Sequence, residues 1–344
     1  MTTTIKDVAK LAGVSISTVS RVINNSKPVS PEVRRKVLEA IKQLDYKPNE
    51  VARSLVTRRS NLIGVIVTDI GNSYVAEMVR GIEEVGRMYN FDIILSSSYG
   101  NEDAELKFIN FLTRKQVEGI ILISEKNENK VIDEIQSYKI PFIYLNRYYN
   151  KYDLPTVSID NSKASYAMTE YLIAKGHERL LYVSYESDGE YSVEMSKIEG
   201  YNKAIKDKGK KGFVFNAKGF RIQDGYDIGE SILNLVRENN ITAIFCGHDE
   251  LAIGLMNYCY DNNIKIPEDI SVCGFGDKNI ASIYRPTLTT VREPFYDIGA
   301  VAIRSVIKKI KGEELQEDKI VLPFQIIERE SSTSIKDKKV GDLI

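Results

Sequence analysis

After Ser60 the sequence alternates short apolar runs, rich in β-branched residues, with longer segments of helical periodicity. The apolar runs predict seven buried strands: LIGVIV, FDIILSS, GIILIS, PFIYLN, LLYVSY, AIFCG and SVCGFG. Helices are predicted between them, near residues 75–90, 102–115, 162–175, 194–208, 224–239 and 249–263. Such alternation is typical of parallel sheets covered by helices, because each pair of parallel strands needs a crossover connection. This part of the chain therefore predicts an α/β core.

The length of this region favours two lobes. Roughly 280 residues are long for a single sheet, because hydrophobic cores stop growing at about this size and chains divide. In open α/β sheets, ligands bind outside the carboxyl ends of the strands. We therefore expect a ligand cleft between the two lobes.

The first sixty residues predict three short helices, Ile5–Ala12, Ser15–Asn24 and Pro31–Leu44. Apolar residues follow helical spacing in each of them. Gly13 suits the turn after the first helix, and Ser15 is placed to cap the second. Two helices joined by a short turn with glycine form a helix-turn-helix, whose second helix enters the major groove of DNA.

The second of these helices carries the side chains that are predicted to meet DNA. Ile16, Ser17 and Arg21 are predicted to face base edges, where an arginine can bind guanine through two hydrogen bonds. Thr18 and Ser20 carry short hydroxyls suited to phosphates, which position the protein without reading sequence. The full predicted contact set of this helix is Ser15, Ile16, Ser17, Thr18, Ser20, Arg21 and Asn24. For a helix-turn-helix pattern alone, a three-helix bundle with a solvated basic face is the alternative.

The segment after the third helix predicts a hinge. Pro48 prevents the third helix from continuing, and Asn49 can cap a short new helix that ends near Thr57. A helix this short is not stable alone in water, and its Ala52 and Leu55 form an exposed apolar pair that needs a partner. Two such helices packed in a dimer can insert their leucines into the minor groove and kink the duplex.

The charge of the chain is unevenly distributed. In total, 47 Lys and Arg stand against 48 Asp and Glu, a net charge of -1. Residues 1–60 hold 12 basic and five acidic residues, so this segment carries +7 and the remainder carries -8. A basic head on an acidic body indicates a polyanionic partner for the head.

The sequence offers little support for several other classes of protein. Cys246, Cys259 and Cys273 lack metal-type spacing and lie in apolar stretches, so we expect buried thiols and no metal site. His177 and His248 are isolated, and no nucleophile–base pair or phosphate loop indicates an enzyme or a cofactor. A secretion signal and an apolar run of membrane-spanning length are both missing, so a cytoplasmic protein is expected.

Two strings, TIKDVAKLAGVSISTVSRVINNS and VSPEVRRKVLEAIKQLDYKPNEVARSL, resemble the headpiece and hinge of the LacI/GalR family of bacterial transcription regulators. The resemblance is nearly continuous over about sixty residues. It implies base readout by Ile16, Ser17 and Arg21. It assigns the minor-groove hinge to Asn49, Ala52 and Leu55. The implied partner is double-stranded operator DNA, and the two half-sites of such operators imply a homodimer.

The remainder resembles the type I periplasmic-binding-protein fold, which has two lobes joined by three crossovers. We place the crossovers near Asp160, Val291 and Pro323. The predicted fold is an all-α helix-turn-helix headpiece followed by a two-lobed α/β core with parallel sheets. Its predicted parts are the headpiece at 1–47, the hinge at 48–60, the core at 61–332 and a polar tail at 333–344. Within the core, lobe 1 comprises about 61–160 and 292–323, and lobe 2 comprises about 161–291 and 324–332.

Strand ends and family motifs together predict a cleft site. The candidate residues are Tyr74, Asp160, Lys197, Asp249 and Asp277. Taken singly, an aspartate at such a place is more often a helix cap than a ligand contact. Family members that respond to sugars or purines anchor the small molecule with arginine in an R-x-x-G motif, and Lys197 stands at the matching position. Lysine is a point charge without the fork of arginine, which argues against tight binding of a sugar or carboxylate.

The segment Pro294–Lys311 predicts a helix with two stripes. By helical period, the buried stripe is Phe295, Ile298, Ala302, Val306 and Ile310. At i,i+4 spacing, the outer stripe is Tyr296, Ala300, Arg304 and Lys308. Arg304 and Lys308 complement the helix dipole at the C-terminal end. Alternatively, they form a phosphate grip within a stripe that docks another protein.

FYDIGAVAIR and the long string from GIEEVGRMYN to EGIILIS resemble the catabolite-control branch of the LacI/GalR family, within a likeness running from Thr4 to Ser332. In that branch the corepressor is the phosphocarrier HPr phosphorylated on a serine, and phosphorylated sugars are at most adjuncts. The implied docking residues are Tyr89, Tyr296, Asp297, Arg304 and Lys308. We therefore expect a regulator of carbon catabolite genes whose operator binding is enhanced by serine-phosphorylated HPr. The alternative is a family member controlled by a sugar or nucleobase in the cleft.

Overall fold

The computed structural model describes residues 3–47, 59–124, 129–146, 154–185, 192–315 and 317–335. Contacts divide the chain into two compact units, Met1–Asn61 and Leu62–Ile344. The first is a headpiece of helices, and the second is a core of helices and mostly parallel strands. The predicted fold class is confirmed.

The headpiece is built from α1 (Ile5–Ala12), α2 (Ile16–Asn24) and α3 (Pro31–Gln43). Gly13 ends α1 at a φ of 66°, a left-handed conformation that glycine adopts without steric cost. The helices meet around small apolar side chains, which are Val8, Ala9, Val19, Val22, Val37 and Ala40. This packing leaves the polar face of α2 on the outside.

The first lobe of the core contains β1 (Leu62–Val67), α4 (Ser73–Met88), β2 (Asp92–Ser97), α5 (Glu102–Arg114), β3 (Gly119–Ser124), α6 (Asn129–Ser137) and β4 (Phe142–Asn146). Its four strands are parallel and lie in the order β2-β1-β3-β4. The central strands β1 and β3 are buried, whereas the edge strand β2 is largely half-exposed. This is the burial expected for a sheet covered on both faces.

The chain continues through β5 (Thr156–Ile159), α7 (Asn161–Ala174), β6 (Arg179–Tyr185), α8 (Val193–Asp207), β7 (Lys211–Ala217), α9 (Ile222–Asp227), α10 (Gly229–Asn239), β8 (Ala243–Cys246), α11 (Asp249–Asp261), β9 (Ser271–Gly276), α12 (Asn279–Ile283), β10 (Thr289–Arg292), α13 (Phe295–Ile310), β11 (Lys319–Leu322) and β12 (Gln325–Ile327). The second sheet has the order β12-β10-β9-β8-β6-β7. A separate two-stranded parallel sheet pairs β5 with β11.

The second sheet departs from the expectation of purely parallel strands, because β12 runs antiparallel to β10. Between β10 and β12 the chain passes through α13 and through β11, which pairs with β5 in another sheet, so β10 and β12 are not the consecutive strands of one βαβ unit. The short strands β5, β10, β11 and β12 and the half-exposed edge strand β7 were not predicted, because they lack long apolar runs.

The single helix predicted near 224–239 is two helices, α9 and α10. Gly225 of α9 packs so closely on α11 that a Cβ there would overlap the carbonyl oxygen of Leu251. A Cβ at Gly229 would overlap the ring of Tyr258. The interruption between the two helices is a single residue, Ile228, with φ of -85° and ψ of -4°.

Helices α4 and α13 approach each other until their backbones touch. A Cβ at Gly81 of α4 would overlap the carbonyl oxygen of Tyr296, and one at Gly299 of α13 would overlap that of Met78. Ala300 is only 7% exposed and belongs to the core of this lobe. The prediction that Ala300 lies on the outer face of α13 is therefore wrong, because the close crossing encloses the small residue.

Replacing Gly81 with alanine should destabilise the core by about 2 kcal/mol, because the new methyl group meets backbone and no rotamer change can relieve the overlap. The matched control is Arg87→Ala on the exposed side of the same helix, where a change within about 0.5 kcal/mol is expected. Urea unfolding followed by circular dichroism measures both. Equal midpoints for the two variants would contradict the close backbone contact.

Candidate DNA-binding face, cleft and docking surface

The start of α2 is held by hydroxyl groups. The Oγ of Ser15 accepts a hydrogen bond from the backbone N–H of Thr18 at 3.2 Å and caps the helix. The same oxygen lies 2.8 Å from the hydroxyls of Ser17 and Thr18. Three predicted DNA-contacting residues thus form one cluster at the end of the helix that a helix-turn-helix presents to the major groove.

The outer face of α2 carries the predicted base readers. Ile16 is 45% exposed although it is apolar, and Ser17 and Arg21 are also exposed. Thr18, Ser20 and Asn24 are half-buried, and the amide of Asn24 donates to the hydroxyl of Ser20 at 3.2 Å. The alternating exposure follows from the burial of Val19 and Val22 in the headpiece core. The predicted hinge residues Asn49, Ala52 and Leu55 lie outside the described residues.

A cavity of about 60 Å³ lies between the two sheets of the core. That volume holds a few water molecules and is far below the ~300 Å³ of an ordinary small-molecule pocket. Its walls are mostly apolar. Of the predicted cleft residues, Tyr74 and Lys197 line the cavity. Asn161, which follows Asp160 at the predicted crossover, also lines the cavity, and Lys278 and Glu293 are polar lining residues that the sequence did not indicate.

Lys197 does not present its charge to the cavity as a free anchor. It is 1% exposed, and its Nζ donates to the carbonyl oxygen of Gly247 at 2.9 Å. The Nζ also lies 3.9 Å from the centroid of the Phe275 ring and 3.7 Å from Oε2 of Glu194. The ammonium is therefore matched by a carbonyl, an aromatic face and a carboxylate of its own lobe.

Asp249 lies behind the cavity and is fully buried. Its carboxylate accepts hydrogen bonds from the hydroxyl of Thr290 at 2.5 Å and from the backbone N–H of Lys278 at 2.7 Å. Burial raises the pKa of Asp249 to about 6, against the lowering effect of these two hydrogen bonds. The carboxylate joins the start of α11 to β10 and to the loop after β9, so its position corrects the prediction of a cleft contact.

The other two predicted aspartates are also held by the protein itself. Asp277 binds Nε of Arg292 and a terminal nitrogen of Arg329, each at 2.6 Å. Asp160 caps α7 by accepting from the backbone N–H of Lys163 at 2.9 Å, and this hydrogen bond helps to lower its pKa against the opposing effect of burial. Neither residue lines the cavity of about 60 Å³, but Asp277 lines a wider neighbouring pocket of about 340 Å³ that shares Tyr74 and Lys278 with it.

Lys278 connects the two lobes at the cavity. Its Nζ lies 3.1 Å from Nε2 of His248 and donates to Glu250 at 3.2 Å, both in the second lobe. The same ammonium lies 5.2 Å from the centroid of the Tyr74 ring in the first lobe. The sequence signal that could have identified Lys278 is its position directly after Asp277, at the end of a predicted strand.

Arg304 and Lys308 are exposed one turn apart on α13. Within the described part of the chain, neither of them forms an ion pair. Tyr89 follows α4 and is 40% exposed, with the ammonium of Lys311 5.2 Å from its ring centroid. Met88, which the sequence reading did not select, is 78% exposed beside it. We call Met88, Tyr89, Arg304 and Lys308 the docking surface.

The remaining predicted docking residues lie nearer the start of α13. The hydroxyl of Tyr296 donates to Glu84 at 2.7 Å, and the guanidinium of Arg80 lies 5.1 Å from its ring centroid. Tyr296 is therefore held by α4, whereas Asp297 is exposed. The structure places both residues on the same helix as Arg304 but two turns or more away from it.

Among the residues that the structure describes, no group of three or more His, Cys, Asp or Glu side chains is arranged to hold a metal ion. The helices of the described ranges include none that is long and apolar enough to cross a bilayer.

Comparison with known proteins yields two family matches. Residues 4–49 match the profile of "Bacterial regulatory proteins, lacI family". Residues 60–330 match the profile of "Periplasmic binding proteins and sugar binding domain of LacI family". The two matches meet close to the boundary between the headpiece and the core.

Several curated relatives are similar over nearly their whole length. The chain is 38% identical to the HTH-type transcriptional regulator RegA of Clostridium saccharobutylicum, covering 96% of this chain and 100% of the relative. It is 38% identical to catabolite control protein A of Streptococcus mutans, covering 95% and 97%. It is 37% identical to catabolite control protein A of Priestia megaterium, covering 96% and 100%.

Two solved structures extend the comparison. The transcription regulator CcpA of Lactococcus lactis aligns with a TM-score of 0.73 at 26% identity, covering 80% of this chain and 100% of that one. The lac repressor dimer bound to operator and the anti-inducer ONPF aligns with a TM-score of 0.86 at 23% identity, covering 97% and 100%. The second likeness supports the fold alone.

The buried Asp249 predicts a pH-dependent contribution to stability. Because its pKa is about 6 in the folded chain and 3.8 in the reference state, the folded state binds the proton more tightly. The contribution is fully present below about pH 4, falls as the pH rises through 6 and amounts to about 3 kcal/mol. The free energy of unfolding of the native protein minus that of Asp249→Asn should decline accordingly between pH 4.5 and 7.5. A constant difference, as expected for the exposed control Asp92→Asn, would contradict the assignment.

Proposed function

The chain belongs to the LacI family of bacterial regulatory proteins, and we propose that it controls carbon catabolite genes as a homodimer whose corepressor is serine-phosphorylated HPr. As a member of this family it is a DNA-binding transcription regulator and not an enzyme. Its similarity to catabolite control protein A and RegA supports the narrower assignment to catabolite control.

The reader face of α2 supports operator recognition by this headpiece. Arg21 is exposed and suited to bind a guanine through two hydrogen bonds, while Ile16 offers an apolar contact to a thymine methyl group. The hydroxyls of Ser15 and Thr18 lie at the start of the helix and suit phosphate oxygens. The headpiece thus carries both kinds of contact that sequence-specific binding needs.

The observation that carries the partner assignment is the exposed pair of cations on α13. Arg304 and Lys308 are one turn apart, and two donors at this spacing suit a phosphate group. Met88 and Tyr89 add exposed apolar area at the end of α4, where the Tyr89 ring contacts Lys311 after α13, and a small anion would leave this area in water. A phosphorylated protein satisfies both features, since it brings a charge and an apolar surface together.

Docking would act on DNA binding through the arrangement of the lobes. A partner that prefers the closed core shifts the population toward it, and only as far as its affinities for the two states differ. Closure would bring the hinge segments of the two subunits together, so that the Leu55 pair can wedge the minor groove. The partner and the operator then strengthen each other's binding by the same factor.

Control by a sugar or nucleobase in the cleft is the second candidate, and the cavity with the amide of Asn161 in its wall favours it. The internal partners of Lys197 weigh against a sugar as the main effector. A phosphorylated sugar that acts as an adjunct to the docked protein is compatible with both candidate functions.

Arg21→Ala should reduce specific operator binding by about 10- to 100-fold, because one base contact of this kind contributes about 1–3 kcal/mol of discrimination. The operator is first selected from random duplexes, and affinity is then measured for the selected and for a scrambled duplex. The control Arg35→Ala, an exposed cation on α3, should leave the ratio of the two affinities unchanged. An unchanged ratio for Arg21→Ala would remove Arg21 from base readout.

Serine-phosphorylated HPr should raise operator affinity by about 10-fold or more, and unphosphorylated HPr should not. Arg304→Glu should abolish this response while weak DNA binding remains, because the phosphate then meets a carboxylate. Arg114→Glu, an exposed arginine at the end of α5, should keep the response. Fluorescence anisotropy of labelled operator measures each case. Equal affinities with both forms of HPr would overturn the proposed corepressor.

A further inference from the structure

Lys197 lines the cavity and forms an ion pair with Glu194, a buried residue that is not itself part of the lining. Glu194 and Lys197 lie one turn apart on α8, and both are almost completely buried. Oε2 of Glu194 lies 3.7 Å from Nζ of Lys197. A buried ammonium is strongly disfavoured without a partner, so the carboxylate is the group that lets Lys197 stay charged at this place.

The carboxylate of Glu194 is enclosed by neighbouring groups that fit it closely. Its Oε1 accepts a hydrogen bond from the hydroxyl of Tyr182 at 2.8 Å. Burial, together with the nearby carboxylate, raises the pKa of Tyr182 well above its ordinary value, so the phenol remains a donor. A Cβ at Gly247 would overlap Oε1, and glycine alone leaves the room that the carboxylate needs. A phenol, an ammonium and a bare glycine thus surround one carboxylate.

The second cation of the cavity is matched in a similar way. Lys278 is 6% exposed, and its ammonium contacts His248 and Glu250. Both positive charges of the wall therefore have partners within the protein. A small acid or phosphate that entered the cavity would have to compete with these carboxylates for the two ammonium groups.

We propose that the carboxylate of Glu194 pairs with the ammonium of Lys197 in place of a bound ligand. This ion pair keeps the cavity from binding small free carboxylates or phosphate. Glu194 thus provides the carboxylate partner of Lys197 that a free acid would otherwise provide. Removal of Glu194 should leave a vacancy of carboxylate shape with Lys197 and Tyr182 still in its wall. This assignment concerns the cleft and stands independently of the docking partner proposed above.

The test is chemical rescue of Glu194→Ala in the full-length chain. The variant should unfold at a lower temperature than the native protein, because an unpaired buried charge remains. Sodium acetate should then raise its unfolding temperature by about 3 °C in a saturable way, since the anion binds only the folded state. Acetamide, which has the same shape without the charge, and sodium chloride at equal ionic strength should give no such rise.

Two controls distinguish acetate binding at the vacated Glu194 position from general salt effects. Acetate should leave the native protein and Glu199→Ala unaffected, because Glu199 is an exposed residue of the same helix. Adding Lys197→Met to Glu194→Ala should remove the response. An equal rise in all variants, or none in Glu194→Ala, would overturn the proposal.

A measurement on the native protein keeps the proposal testable if Glu194→Ala does not fold. Calorimetric titration of the native chain with acetate and with inorganic phosphate should show no saturable binding. Saturable binding of either anion that Lys197→Met removes would overturn the proposal, because Lys197 would then be open to a free ligand.

Discussion

The backbone contact between α4 and α13 sets the geometry of the first lobe at both of its ends. At one end, it holds the ring of Tyr74 5.6 Å from that of Phe295, and both line the cavity between the lobes. At the other end, it brings Tyr89 beside Lys311, next to the exposed cations of the docking surface. One pair of closely packed helices thus extends from the cavity wall to the exposed end of α13.

The charges of the core divide into two classes with different roles. Lys197, Asp249 and Lys278 are buried, and each has partners within the second lobe. A buried charge without such partners would cost several kcal/mol, so these groups serve the structure of the cleft. Arg304 and Lys308 are solvated and pair with no residue of the described ranges. Solvated cations cost little to leave unpaired and remain available to an incoming phosphate.

Local patterns predicted the parts of the molecule that depend on neighbours in sequence. The cap at Ser15 and the buried strands β1, β3 and β9 could be read from the sequence. The break between α9 and α10, the antiparallel strand β12 and the burial of Ala300 could not be read. Each of these features depends on which distant segment packs against it. The local sequence, including the spacing of glycines, does not identify that segment.

The candidate sites show the same division. The sequence by itself determined the reader face of α2, because a short helix with two buried valines must turn Ile16, Ser17 and Arg21 outward. It also determined the exposed cations of α13 through the period of the helix. Only the tertiary structure decided the chemistry of the cleft. The cap at Asp160 is local, because its donor Lys163 is three residues away. Asp249 and Asp277 end or follow strands as ligand residues do, yet Thr290 of β10 and Arg329 donate hydrogen bonds to their carboxylates. Hydrogen bonding between segments far apart in sequence determines whether a charge meets a ligand or the protein itself.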